Sequence, residues 1–280
     1  MKRERLTITL RKNLIEAIDK RIDGTLIRNR SHAIESLLGD IVNPQIKKAV
    51  ILAADKGIKF RPFTYETPKA MLPVKGRPIL EHIISGLRES NIRDIYISVG
   101  YLSEKIMSYF GDGANFGVKI TYIKQPKKNM GTGGALRNFQ KYISSQELFF
   151  LIYGDVLAQI NYQDLSQFYY EHQNACGVAA LTTVNNPELW GVVNLKGHQI
   201  VNFIEKPVRQ KAKSHLISTG IYLLTSKIFN YIPKDKKISL EKEILPQVLK
   251  KDKLNGYLLQ GNWYDVSSPE IYEQALKEWQ

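Results

Sequence analysis

The sequence predicts an α/β protein, a doubly wound sheet of mixed but mostly parallel strands, preceded by a small strand–helix–helix module. Three observations lead there. From Lys48 onward, strand-like and helix-like segments alternate, the rhythm of a sheet covered by helices on both faces. The first of these segments, KAVILAA, is apolar without alternation, as a parallel strand buried on both sides must be. Residues 1–42 follow a different rhythm, and a short linker, 43–47, sets them apart from a domain over 48–280.

The elements follow in order. In RLTITL, Leu6, Ile8 and Leu10 alternate with Arg5, Thr7 and Thr9, the period of a half-buried strand. RKNLIEAIDKRI repeats apolar residues at Leu14, Ile15, Ile18 and Ile22, a helical spacing that ends at Asp23-Gly24. Asn29 is placed to cap a second helix, RSHAIESLLGDI, whose apolar face is Ala33, Ile34, Leu37, Leu38 and Ile41. A strand and two helices of this size cannot bury a core alone, whereas two copies pairing their strands can. After the linker, PILEHIISGLRESN reads as a helix, IRDIYISVGY as a strand and LSEKIMSYFGDG as a helix and turn. VKITYIKQP reads as a strand, GTGGALRNFQKYI as a loop opening a helix, and ELFFLIYGDV as an apolar strand ending at Asp155. Further extended segments are CGVAALTTV, WGVVNL and QIVNFIEKP. STGIYLLTSKIFNYI reads as a strand then a helix, and LEKEILPQVLKK as a helix.

The chain has 280 residues, 43% of them hydrophobic, ample for a packed core and unlike a disordered chain. No apolar run approaches the ~18 residues of a membrane span, and the basic start MKRERLTITL lacks an apolar leader core. A cytoplasmic protein is expected. The net charge of +13 favours anionic partners, phosphates or nucleic acid. Over residues 1–48, eleven Lys/Arg against six Asp/Glu leave +5. The single cysteine, Cys176, lies in the apolar run ACGVAAL and reads as a buried structural thiol.

Three glycine-bearing loops follow strand-like segments: ADKG, MGTGGA and YGD. Glycine permits close backbone approach to a ligand, and amides at a loop-to-helix junction cradle anions. Each loop alone is a weak signal, more often an ordinary turn than a site.

Two resemblances sharpen this. KRERLTITLRKNLIEAIDKRIDGTLIRNRSHAIESLL resembles the ribbon-helix-helix DNA-binding domains, which dimerise through their strands and lay them in the major groove of double-stranded DNA. The resemblance implies base contacts from Arg5, Thr7 and Thr9. It implies a phosphate at the N-terminus of the second helix, around Asn29, Arg30 and Ser31, and a homodimer or a dimer of dimers. The alternative reading is a module that serves dimerisation alone.

In order along residues 47–280 come AVILAADKG, RPFT, TPKAMLPVKGRPILEHII, MGTGGAL, YGDV, WGVV, FIEKP, TGIYLL, SLEKEILPQVL and WYDVSSPEIYEQA. This set resembles the sugar-1-phosphate nucleotidyltransferases, nearest to the mannose- and heptose-1-phosphate guanylyltransferase type, and implies their Rossmann-like fold. Those enzymes join a nucleoside triphosphate to a sugar 1-phosphate, yielding a nucleotide sugar and pyrophosphate, with Mg2+. By resemblance, Asp155 and Asp265 hold the metal. Lys59 and Lys69 face the triphosphate, and Lys206 the sugar phosphate. Leu52, Ala53, Ala54, Gly57, Gln125, Gly131 and Thr132 join Asp155 around the nucleotide. Gly191, Glu205 and Ser218 line the sugar pocket.

The first loop departs from the family pattern. Asp55 stands where that pattern has glycine, Ile58 where it has a hydroxyl residue, and Lys59 where it has arginine. Asp55 brings negative charge to a polyanion site, and Lys59 lacks the planar fork of arginine. Ser218 replaces an asparagine, and Ser267-Ser268 replace Gly-Thr. Two readings stand: a nucleotidyltransferase fused to a DNA-binding module, or a non-catalytic transcriptional regulator that senses a nucleotide sugar or sugar phosphate.

Overall fold

A computed structural model describes residues 7–22, 24, 27–42, 45–125, 130–172, 175–234 and 236–279. The chain divides into two compact units, Met1–Gln45 and Ile46–Gln280.

The first unit contains α1 (Lys12–Asp19) and α2 (Arg30–Val42). Asn29 caps α2 as its sequence position predicts, its Oδ1 accepting from the His32 amide at 2.9 Å. Ile18 and Ala33 are buried, while Ile8, Leu14 and Leu38 are exposed. Arg5 and Leu6, which begin the expected strand, lie outside the described residues. Thr7–Leu10 form no strand. A strand needs a ladder partner, and among the described residues of this unit no second strand supplies one. The first helix also ends three residues before Ile22, at Asp19, whose carboxylate is taken by Arg30.

In the second unit the order is β1 (Lys48–Ala53), the hairpin β2 (Pro73–Val74) and β3 (Arg77–Pro78), α3 (Ile79–Glu89), β4 (Asp94–Val99), α4 (Ser103–Phe110), β5 (Lys119–Lys124) and α5 (Gly131–Arg137). Then come β6 (Leu148–Tyr153), β7 (Val156–Ala158), α6 (Tyr162–Glu171), β8 (Gly177–Thr183), β9 (Gly191–Lys196), β10 (Gln199–Glu205) and β11 (Leu216–Thr225). The unit closes with α7 (Leu245–Lys251), β12 (Leu254–Leu258), β13 (Trp263–Asp265) and α8 (Pro269–Glu278).

Nine strands form one sheet in the order β5-β4-β1-β6-β11-β8-β12-β10-β9. Both faces of β1 are covered. Ala49, Ile51 and Ala53 join a core with Leu80, Ile84 and Leu87 of α3, and Val50 joins another with Leu136, Phe139 and Leu245. That explains the unbroken apolar run of β1. Cys176 is buried, and burial pushes its thiol up to about 12, which suits a structural role.

The expectation of a mostly parallel sheet needs correction. Four pairings are parallel (β1 with β4 and with β6, β4 with β5, β8 with β12), and the remaining five are antiparallel. The β9–β10 pair closes through the Gly197 turn, a hairpin that can only run antiparallel. Two helical expectations also change. Ser226–Tyr231 is a 3-10 turn, and Leu240–Ile244 is π-helical before α7 begins. Pro246 has no amide to donate back to the preceding turn, so a regular α-helix cannot run through it.

Candidate active site

The site is assembled at the carboxyl ends of β1 and β6, the crevice where an open α/β sheet receives ligands. β1 and β6 are parallel, with Leu52 opposite Tyr153. The Gly154 amide donates to the Leu52 carbonyl at 2.9 Å. A side chain at Gly154 would come within 2.8 Å of the Ala53 Cβ, so glycine is required for this approach.

A second, two-stranded ladder then brings the carboxylates together. β7 leaves directly after Asp155 and pairs antiparallel with β13, Asp265 opposite Val156. The Val266 amide donates to the Asp155 carbonyl at 2.9 Å. Lys69, 8% exposed, lies against this pair: its Nζ is 2.5 Å from Asp155 Oδ2 and 3.8 Å from Asp55 Oδ2. The indole of Trp190 donates to Asp265 Oδ2 at 2.8 Å.

The electrostatics follow from burial. Burial, reinforced by the Asp155 charge, pushes the Asp265 carboxyl up to about 6, against the opposing pull of Lys69 and the Trp190 hydrogen bond. For Lys69, burial opposes the charged form most strongly, but Asp155, Asp265 and Asp55 together outweigh it and hold the ammonium above its usual value. Each aspartate keeps an oxygen beyond those engaged by Lys69 and Trp190. Among the described residues no group of three or more His, Cys, Asp or Glu forms a self-contained metal cage. Two facing carboxylates instead suit Mg2+, which takes few protein ligands and completes its shell with phosphate oxygens and water.

The loop after β1 curls back on itself. Gly57 adopts φ +59°, and a Cβ there would lie 2.8 Å from Thr64 Cγ2. Thr64 Oγ1 donates to the Gly57 carbonyl at 2.6 Å, while the Gly57 amide donates to Asp55 Oδ2 at 3.3 Å. Asp55 therefore occupies a backbone donor of its own loop. Lys59 is exposed on the 3-10 turn Ile58–Phe60.

Opposite, the β9–β10 hairpin sets Gly191 across from Glu205. Lys206 follows in the left-handed region at φ +47°, its amide donating to the Trp190 carbonyl at 2.9 Å. Burial raises the Glu205 carboxyl, and Lys206 and Lys242 partly offset this. Ser218 sits beside an irregularity in β11 and donates to the Tyr222 hydroxyl at 2.7 Å.

A cavity of about 350 Å3 connects these groups. It is lined by Gly57, Lys59, Lys69, Asp155, Gly191, Glu205, Lys206, Ser218 and Asp265 of the sequence-predicted residues. The second unit's other candidates are not among its lining residues. Leu52 and Ala53 belong to β1, and Ala54 follows them. Gln125, just past β5, donates to Ser98 Oγ at 2.7 Å and accepts from Asn138 Nδ2 at 3.2 Å. Gly131 and Thr132 open α5 against the Ile238–Glu241 segment, where Thr132 Oγ1 donates to Glu241 Oε2 at 2.8 Å. Thr7, Thr9 and Ser31 are exposed. Arg30 is held in a two-pronged pair with Asp19, at 2.6 and 2.7 Å. Sequence reasoning passed over Trp190, Tyr153, Trp263 and Glu241, all of which line the cavity. All four sit inside quoted motifs: Tyr153 in YGDV, Trp190 in WGVV, Glu241 in SLEKEILPQVL and Trp263 in WYDVSSPEIYEQA.

Residues 48–280 match the family described as nucleotidyl transferase. The chain belongs to that family. Among nucleotidyl transferase relatives it is 36% identical over 226 residues to the bifunctional protein GlmU of Methanococcus maripaludis, covering 79% of this chain and 51% of that protein. It is 30% identical over 229 residues to the mannose-1-phosphate guanylyltransferase catalytic subunit beta of Danio rerio, covering 80% and 62%. This chain spans about half the length of the GlmU relative. Identity is higher to GlmU than to the guanylyltransferase, so identity does not favour the expected subgroup. A solved UDP-glucose pyrophosphorylase complexed with UDP-glucose superposes with TM-score 0.71 at 25% identity, covering 82% of this chain and 97% of that one. No helix among the described residues is long and apolar enough to cross a membrane.

Proposed function

We propose that the second unit is a sugar-1-phosphate nucleotidyltransferase, joining a nucleoside triphosphate to a sugar 1-phosphate with release of pyrophosphate. The observation that carries this is the junction of Asp155, Asp265 and Lys69 beneath one cavity that also reaches Glu205 and Lys206. Phosphoryl chemistry of this kind needs positioning and charge neutralisation more than covalent work. Asp155 and Asp265 would hold Mg2+, which when bound neutralises phosphate charge and orients the reacting groups. Lys69 stays protonated and donates to a phosphate oxygen. Lys206 meets the sugar phosphate, and Glu205 accepts from a sugar hydroxyl. Lys59 faces the leaving pyrophosphate. Gln125 reads the base.

One observation favours a second reading for the same fold. The Asp55 carboxylate sits on the Gly57 amide and beside Lys69, where a triphosphate tail would otherwise find donors. A pocket so furnished favours a ligand with less phosphate charge, such as a nucleotide sugar held as a signal.

The first unit is read as a dimeric ribbon-helix-helix module on double-stranded DNA, with Thr7, Thr9 and Arg5 toward bases. Its support is the resemblance, its positive charge and its exposed Ile8, Leu14 and Leu38, apolar surface that a second copy would cover. The Asn29 cap leaves the first amides of α2 for a phosphate. The tie between Arg30 and Asp19 is exposed, so a phosphate can compete for that guanidinium.

Pyrophosphate release across a panel of triphosphates and sugar 1-phosphates with Mg2+ tests the main reading. Turnover by the wild type that Asp155→Asn abolishes supports it. No turnover with any pair, together with DNA binding that responds to a nucleotide sugar, establishes the second reading instead.

A further inference from the structure

Among the described residues, two buried side-chain polar atoms have no hydrogen-bond partner: the Tyr153 hydroxyl and Glu241 Oε1. Both residues line the cavity described above. Buried polar atoms are almost always paired, so two orphans on one cavity mark where a ligand's polar groups belong.

Glu241 is the more informative of the two. It is nine-tenths buried, on the π-helical turn that follows Ser239. Its other oxygen, Oε2, is fully engaged, accepting from Thr132 Oγ1 at 2.8 Å and from Ser239 Oγ at 2.6 Å. Those hydroxyls are themselves fixed. Thr132 Oγ1 accepts from the Leu240 amide at 2.9 Å, and Ser239 Oγ from the Lys242 amide at 3.1 Å. The carboxyl plane is therefore set before any ligand arrives, and Oε1 is presented without a partner. Pre-setting a polar group in this way is what specificity requires. Bracing the Thr132 and Ser239 hydroxyls accounts for Oε2 and leaves Oε1 unexplained.

We propose that Glu241 is a specificity-determining residue of the sugar end, its Oε1 accepting a hydrogen bond from one ring hydroxyl of the bound sugar. The proposal rests on the reading of this cavity as a sugar-phosphate site. It fits the cavity's other members, since Glu205 and Ser218 offer further partners to a polyhydroxylated ring. A sugar lacking that one hydroxyl leaves Oε1 unpaired in the complex. Sites built to hydrogen-bond a hydroxyl reject the analogue without it far more strongly than apolar pockets reject a missing methylene.

The test is calorimetric binding of glucose, galactose, mannose and N-acetylglucosamine 1-phosphates, followed by the monodeoxy analogues of whichever binds best. Wild type and Glu241→Gln are compared, with thermal melts to establish that both are folded. Glutamine keeps an oxygen for Thr132 and Ser239 and puts an N–H in the place of Oε1. The expected result is that the wild type discriminates against a single deoxy position by about 100-fold. Glu241→Gln reduces that discrimination to under about tenfold and leaves the other positions unchanged. Uniform weakening of every analogue by Glu241→Gln, or a wild type that binds sugars without deoxy discrimination, overturns the proposal while sparing the sugar reading. Binding of none of the four parents overturns both.

Discussion

Asp55 is the residue whose removal should tighten the site's hold on a triphosphate. Its Oδ2 lies 3.8 Å from Lys69 Nζ and 3.3 Å from the Gly57 amide, two donors suited to a phosphate oxygen. A phosphate sharing them would sit about 4 Å from a second anion. Such a like-charge pair costs about 1 kcal/mol in water-like surroundings and about 4 kcal/mol at an intermediate dielectric. Asp55 is 66% exposed, so the lower figure governs each contact. A tail with charge on two phosphates then loses about 1–2 kcal/mol, or about 5- to 30-fold in affinity. Asp55→Asn removes the charge and keeps an oxygen for the Gly57 amide. Titration with a non-hydrolysable triphosphate should show tightening by that factor at low salt, shrinking as salt screens the pair. Affinity for a nucleotide sugar should change by less than about twofold, since it carries no triphosphate tail. Unchanged triphosphate affinity, or equal tightening of both ligands, would refute the placement of Asp55 beside the tail.

Four further outcomes follow. Lys69→Met should unbalance Asp155 and Asp265, lowering triphosphate affinity and turnover at least tenfold while adding Mg2+ restores little; near-normal turnover would remove Lys69 from the phosphate site. Glu205 and Glu241 both have carboxyls raised by burial, so the folded state holds their protons more tightly than the unfolded chain does. Their contribution is complete below the unfolded value of about 4.5 and is lost as pH rises through their folded values; the melting temperature of Glu241→Gln should therefore decline less across that window than that of the wild type. On the proposed dimer of the first unit, Ile8→Glu should shift sedimentation from dimer toward monomer, because it charges an apolar residue now exposed; an unaltered dimer would place the contact elsewhere. Arg5→Ala with Thr7→Ala should abolish sequence-specific DNA retention with dimerisation intact; unaltered retention would take base reading away from that segment.

Much of the second unit was legible because its signals are local. An unbroken apolar run marks β1, and LFFLIY ended by Gly-Asp marks both β6 and the place of Asp155. Strand direction is not local: periodicity reports which residues are buried, not which way the neighbour runs, so the antiparallel share of the sheet was underestimated. β7 spans three residues, too short for any period, yet its pairing with β13 is what brings Asp265 beside Asp155. Asp265 was reachable through resemblance alone. Glu241 sat inside a legible helix start, but its buried, half-satisfied state depends on Thr132, which is distant in sequence. In the first unit, the Asn29 cap was readable as a short-range rule. The Arg30–Asp19 pair was not, since it requires knowing how α1 and α2 meet.

Asp155 and Asp265 are proposed to serve nucleotidyl transfer in one shared site. The most direct test is exchange of labelled pyrophosphate into triphosphate, driven by a nucleotide sugar and Mg2+, with wild type, Asp155→Asn and Asp265→Asn side by side. The account predicts label in the triphosphate with the wild type, dependent on both nucleotide sugar and Mg2+, and none with either variant. Absence of exchange with every nucleotide sugar tried, or undiminished exchange in both variants, would contradict it.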